Sequence, residues 1–373
     1  MKFQADREVL GDAISFLVRM LSPRPQLPQL SGVVIDAADD EITLSIFDYE
    51  VVAKATIAGS VEKPGKILVQ ARLLSEIVSK LPAETVALEL LDSRVAINSG
   101  SSKFSLSSMS MAEYPKIPEI PKGNGTVRAE DFSDAIAEVS LAASREEVTP
   151  VLTAVMVSAT NKELSFVATD RFRVAVKAVP WKGSTQDNEV LIPARVISEI
   201  AKTFSGSGDI ELGVGASEKE MAGFTSANKM VATSTIKGKY PAVLQLFPES
   251  APHFAVVNTN DLADATKRVS LVVDRDKPIR FSFGESEVSL ESIGSDVADA
   301  SEQVTCSLTG DETVVSLKPQ FLIDALSSVE TEMVQIGFTS NPNNPNKPGP
   351  VLISPVGSNN SYKYLLQPNL LVS

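Results

Sequence analysis

The feature that most constrains this chain is an internal repeat with a period near 125 residues. Three segments share one plan: ILVQARLLSEIVSKL (67–81), VLIPARVISEIAKTF (190–204) and VVSLKPQFLIDALSSV (314–329). Each passes from a short apolar strand pattern into a helix pattern, and Leu73, Val196 and Phe321 fall at matching places, 123 and 125 residues apart. A period of this size must be read before any motif, because it sets the architecture. Each repeat opens on a second amphipathic pattern: DREVLGDAISFLVRML after Ala5, AEDFSDAIAEVSLAAS after Arg128 and TNDLADATKRVSLVVD after Asn258. Asp, Asn or Thr stands near each start, where a side-chain oxygen can cap free backbone donors. Pro115, Pro241 and Pro368 close the repeats at intervals of 126 and 127 residues.

Strand patterns recur in step. GVVIDAADDEITLSIF, AVMVSATNKELSFVAT and IRFSFGESEVSLESI each hold two alternating apolar runs around a short polar turn, the pattern of an antiparallel hairpin. Helices packed on antiparallel sheets make an α+β fold, with two helices per domain. The expected domains are 1–122, 127–248 and 249–373, with polar tracts at Lys122–Thr126 and Glu249–His253 read as linkers. NPNNPNKPGP (341–350) reads as a flexible turn between the last strands.

Composition then narrows the function. At 373 residues and 43% hydrophobic, the chain can fill several cores. A net charge of −13 argues against a general nucleic-acid coat, although an acidic total does not exclude a positive concave face. Cys306 is the single cysteine, so no intramolecular disulfide forms, which fits a reducing compartment. MKFQADREVL lacks the apolar core of a signal peptide and no apolar run reaches a membrane span, so a cytoplasmic protein with no membrane partner is expected. His253 is the only histidine, and neither it nor Cys306 has a partner at recognisable spacing. A catalytic triad, a Cys–His pair and a metal site therefore lack support, as does a phosphate-binding loop of the GxxxxGK[ST] type. The expectation is a chain with no catalytic residues, no metal and no cofactor.

SFVATDRFRVAV (165–176) poses the sharpest question, since it places Arg171 and Arg173 around Phe172 at a hairpin tip between apolar strands. Taken with MKFQADREVL, SPRPQLPQL, FSLSSM, ATDRFRVAV and LLQPNLL in this order, the threefold repeat resembles the bacterial sliding clamp family, the beta subunits of DNA polymerase III. The resemblance covers the whole chain. It implies a head-to-tail homodimer, a six-domain ring that encircles double-stranded DNA without reading its sequence, helices lining the hole. It also implies a hydrophobic cleft that holds short peptides of the replicative polymerase catalytic subunit, the ATP-driven clamp loader, other polymerases and repair proteins.

Residue by residue, the resemblance assigns Leu152, Thr169, Arg171, Phe172, Arg173 and Val174 to that cleft, with Pro241, Gln245 and Leu246. It adds Lys318, Phe321 and Pro350, and then Leu365, Gln367, Pro368, Asn369, Leu370 and Leu371. Leu152, Val174, Leu246 and Leu365 would wall an apolar pocket, and Arg173 or Gln245 would hydrogen-bond a ligand. On that reading, Arg173→Ala or loss of Leu370–Ser373 weakens peptide binding and spares the ring. Where many relatives carry Gly-His, this chain has Arg171 and Phe172, and Gln367–Leu371 replaces Met-Pro-Met-Arg-Leu, so the rim chemistry differs. Self-packing of Phe172 over its own hairpin is the alternative. Arg24, Arg72, Arg145 and Lys202 are the implied phosphate contacts, with Glu146 and Glu147 a departure beside Arg145. Phe104 is expected to meet Leu271, Val272 and Val273 of a second subunit, unless these are core residues of their own domains. A repeat scaffold that binds partners without encircling DNA is the competing function.

Overall fold

A computed structural model of the chain describes all residues except 161, 185–188, 214–220, 249–250, 275–276, 294–297, 340–347, 358–360 and 370–373. Among the described residues are six α-helices, two per repeat: α1 (Arg7–Met20), α2 (Ala71–Lys80), α3 (Ala129–Ser140), α4 (Ala194–Phe204), α5 (Thr259–Ser270) and α6 (Pro319–Ser327). Their starts follow local chemistry. Asp6 Oδ1 accepts from the backbone N–H groups of Glu8 and Val9, and Asn258 Oδ1 from those of Asn260 and Asp261, so both satisfy first-turn donors. Gln70 caps α2 by accepting from Leu73 N at 2.6 Å. Proline opens α6 at its first turn, where the missing N–H costs nothing.

The chain forms two compact units, one of Met1–Ser133, Ser158–Lys162 and Pro180–Ile236, the other of Asp134–Val157, Glu163–Val179 and Lys237–Ser373. In the first unit a five-stranded antiparallel sheet runs from Ser60–Lys63 through Lys2–Asp6, Thr85–Leu91 and Arg94–Ser99 to Ser102–Ser107. A nine-stranded sheet continues from one repeat into the next, because Val51–Ala58 pairs antiparallel with Lys229–Ser234. Phe16 of α1 and Phe204 of α4 meet with ring centroids 6.0 Å apart, both buried. Alternating burial along the strands leaves one apolar face for the helices.

The second unit repeats the device. Arg173–Pro180 pairs antiparallel with Lys363–Leu366, putting Val174 opposite Leu365 and Ala175 opposite Tyr364. The sheet continues through Val351–Pro355, Met333–Phe338, His253–Asn258 and Ser301–Thr309. Two segments expected as linkers are partly strand: Gly125 and Thr126 sit in the Gly125–Arg128 strand, and His253 opens the His253–Asn258 strand. Polar composition misleads there because the backbone ladders to Asp209–Gly213 and Met333–Phe338 supply the order. Positions 249–250, and 341–347 of the expected turn, lie outside the described residues.

Buried phenols give the fold an alkaline limit. Tyr114 OH accepts from Phe47 N at 2.8 Å, and burial, helped by Asp48, pushes its pKa up to about 12 against the opposing pull of that hydrogen bond. Burial likewise raises Tyr240, Tyr362 and Tyr364 above the ordinary phenol value. A raised folded value means that the stabilisation is complete below about pH 10 and is lost as pH climbs through about 12. The Tyr114 contribution to the unfolding free energy should therefore stay constant up to about pH 9.5 and fall by about 2–3 kcal/mol by about pH 12, as denaturant unfolding would measure. Tyr114→Phe should flatten that part of the curve; an unchanged slope would contradict this account.

Candidate functional site

The hairpin tip at Thr169–Arg173 is a fixed turn. Asp170 Oδ1 accepts from Phe172 N at 3.0 Å and from Arg173 N at 3.1 Å, while Thr169 Oγ1 donates to Arg173 O at 2.7 Å. Arg171 takes a left-handed φ of 81°, which L side chains rarely adopt, and its Nη2 reaches Thr149 Oγ1 at 2.6 Å. The strain is held by bonds on every side of the turn.

Phe172 does not fold back over its own hairpin. Its ring, 60% exposed, stacks on Phe321 of α6 with centroids 6.3 Å apart and planes 27° from parallel. The Arg173 guanidinium lies 4.3 Å from the Phe321 ring centre and Lys318 Nζ lies 5.2 Å from it. One aromatic side chain thus carries two cations and a second ring, a strongly polarised surface.

Arg173, expected to hydrogen-bond a ligand, is bound first to the protein itself. It is only 6% exposed; its Nε donates to Asp170 Oδ2 at 2.8 Å, and its Nη1 to Asp324 Oδ2 at 2.5 Å and to Tyr364 OH at 3.2 Å. Tyr364 OH in turn donates to Phe321 O at 3.0 Å, and Gln320 Nε2 to Asp324 Oδ1 at 2.7 Å. Burial opposes charge on Arg173, but Tyr364, Asp324 and Asp170 outweigh it and hold the guanidinium more firmly protonated than usual. A buried arginine must spend its donors on buried acceptors, so Arg173 fastens the tip to α6.

Around this anchor the remaining candidates take definite places. Leu152 is buried in the one-turn helix Pro150–Thr153, and Val174 and Leu365 are buried opposite each other. Pro241 is exposed and follows Tyr240, whose OH donates to Val167 O at 3.5 Å; exposed Gln245 and Leu246 occupy the turn Val243–Leu246. Pro350 O accepts from Thr339 Oγ1 at 2.7 Å. Gln367 N donates to Phe172 O and Asn369 N to Ser316 O, both at 2.8 Å, with Pro368 buried between them. Leu370 and Leu371 lie outside the described residues. Sequence reasoning missed Asp324, Tyr364 and Asp170. The signal was present: an arginine inside the apolar run RVAVKAV demands a buried counter-ion.

The basic candidates Arg24, Arg72 and Arg145 are exposed, and Lys202 is exposed while paired to Glu199 Oε1 at 2.9 Å. Such an exposed pair costs little to exchange for a phosphate. Phe104 is an exposed residue on Ser102–Ser107, the edge of the five-stranded sheet, and Leu271 at the C-terminal cap of α5 is 83% exposed. Val272 and Val273 beside it are half-buried. Neither Phe104 nor Leu271 is a core residue, and an exposed apolar side chain on an unpaired sheet edge invites pairing with another chain.

Three family models match the chain in tandem: DNA polymerase III beta subunit N-terminal domain over residues 1–118, central domain over 126–242 and C-terminal domain over 244–368. The beta sliding clamp of Micrococcus luteus is 40% identical over 310 residues, 83% of this chain and 100% of the relative. That of Streptomyces coelicolor is 34% identical over 378 residues, 99% of each chain. The Bacillus subtilis DNA polymerase sliding clamp structure superposes with a TM-score of 0.89 at 25% identity, covering 99% of each chain. The Pseudomonas aeruginosa DNA polymerase III beta subunit, 21% identical, shares the fold with a TM-score of 0.90 over 99% of this chain and 100% of that one. Repeat, fold and relatives agree along the whole length: this chain belongs to the DNA polymerase III beta subunit family, the beta sliding clamps.

Proposed function

We propose that this chain is a DNA sliding clamp: two copies close head to tail into a ring of six domains around duplex DNA and tether the replicative polymerase to it. The observation that carries the reading is the tandem run of three beta-subunit modules from residue 1 to residue 368. The proposed domains are 1–122, 127–248 and 249–373. Retention comes from topology, so contacts from Arg24, Arg72, Arg145 and Lys202 to phosphates stay weak and independent of sequence, and sliding meets little resistance. Tethering replaces repeated encounter with a high local concentration of polymerase. The ring acts in the cytoplasm and performs no catalysis of its own; opening it falls to a separate loader.

The cleft for partner peptides is proposed at Leu152, Thr169, Arg171–Val174, Pro241, Gln245, Leu246, Lys318, Phe321, Pro350, Leu365 and Gln367–Leu371. The ring stack of Phe172 on Phe321 supplies a rigid apolar shelf, and few such anchors suffice for a short peptide. Phe172→Ala should weaken a polymerase-derived clamp-binding peptide about tenfold or more in calorimetry while leaving the melting temperature unchanged. Equal affinity would remove Phe172 from the cleft. The assembly itself is tested by sedimentation: a species near twice 39.8 kDa at micromolar concentration supports the ring, and a persistent monomer restores the scaffold that binds partners without DNA.

A further inference from the structure

The two hairpin tips of the first and central modules are built alike. Asp48 Oδ1 accepts from Glu50 N at 3.2 Å and Val51 N at 2.8 Å, as Asp170 does from Phe172 and Arg173. Tyr49 has a φ of 75° where Arg171 has 81°. Ser31 Oγ donates to Pro28 O at 2.6 Å in one short turn, and Thr153 Oγ1 to Pro150 O at 2.8 Å in the other, burying Leu30 and Leu152. Ser234 N donates to Glu50 O at 2.8 Å where Gln367 N donates to Phe172 O, and Val52 stands opposite Ala232 where Val174 stands opposite Leu365. The framework of the cleft proposed in the second unit therefore has a counterpart in the first.

The difference lies in what covers it. In the first unit Ile117 and Ile120 pack against the buried cluster of Val52, Met221 and Ala232, with Phe47 alongside. Ile117 also packs against the cluster of Val34, Leu68 and Tyr114. The sheet face is cleared for this segment. A Cβ on Gly223 would lie 2.6 Å from Pro121 O, and one on Gly213 would lie 2.6 Å from Lys122 O, so only glycine admits the passing backbone. In the second unit, the chain after Tyr240 instead leaves Leu244 48% and Leu246 54% exposed.

We propose that the junction of the first and central modules is a second peptide seat of the same build, occupied in cis by the chain's own segment PKIPEIPK (115–122). This rests on the reading of the second-unit framework as a peptide cleft. Ile117 and Ile120 are the anchors, and the ligand class is an extended, proline-containing peptide with two aliphatic side chains three residues apart. A tethered segment acts at an effective concentration of the order of millimolar, so it suppresses a micromolar competitor by about a hundredfold or more. Each protomer thereby offers one open seat although two are built.

The test uses the full chain and a synthetic PKIPEIPK peptide carrying a photo-crosslinker in place of exposed Glu119. The variant I117S/I120S should bind one peptide per protomer in the first unit, with adducts around Phe47 and Met221, at least about a hundredfold more tightly than the unaltered protein binds there. A folded variant without those adducts overturns the proposal. Adducts confined to Phe172 and Leu365 overturn it while leaving the second-unit cleft standing; first-unit adducts with none at Phe172 support the seat and count against that cleft. Should the variant not fold, hydrogen exchange of the unaltered chain decides. Local opening of the 116–122 amides ahead of the Val51–Ala58 strand supports the seat, and exchange only on global unfolding overturns it.

Discussion

Arg173→Ala is expected to lower the unfolding free energy by about 3–5 kcal/mol, the range found when one partner of a buried ion pair is removed. Asp170 and Asp324 would remain largely buried without their counter-charge, Tyr364 OH would lose a donor, and the Phe321 ring would lose the cation above it. The variant should also lose partner-peptide affinity, but through collapse of the shelf. Arg173→Lys separates the two roles: an ammonium keeps the charge, cannot bridge both carboxylates in the same fork geometry, and should recover less than half of the loss. Denaturant titration measures both. A loss under about 1 kcal/mol for Arg173→Ala would mean that the network does not hold the tip.

The second large effect concerns assembly. Phe104→Asp combined with Leu271→Asp should turn the dimer into a monomer at micromolar protein, weakening self-association by about a thousandfold or more, since each replaces an exposed apolar anchor by a carboxylate. Both side chains are already exposed, so the stability of the single chain should change by less than about 1 kcal/mol. Sedimentation gives the mass and thermal melting gives the stability. A dimer that survives the double substitution would place the interface elsewhere.

Much of this architecture was legible in the residues. The strand-to-helix plan around Leu73, Val196 and Phe321 reappears as strands leading into α2, α4 and α6, because apolar periodicity and local caps act within a few residues. What was not legible depended on distance along the chain. Arg173 and Asp324 are separated by 151 residues, and no local pattern announces that they meet. Within Lys122–Thr126, likewise, Gly125 and Thr126 look irregular until the ladder to Asp209–Gly213 forms. The resemblance puts Leu271 at a contact with a second subunit, and what the fold adds is its exposure, 83%, at the C-terminal cap of α5.

The ring is tested most directly on DNA of two topologies. The protein, loaded by a bacterial clamp loader onto a nicked circular plasmid, is isolated with the DNA by gel filtration, and the circle is then cut once. Encirclement predicts that the protein stays with the intact circle at salt concentrations that dissolve phosphate contacts and runs off the ends after cutting. Equal retention on circular and linear DNA, or loss from both as salt rises, would contradict it.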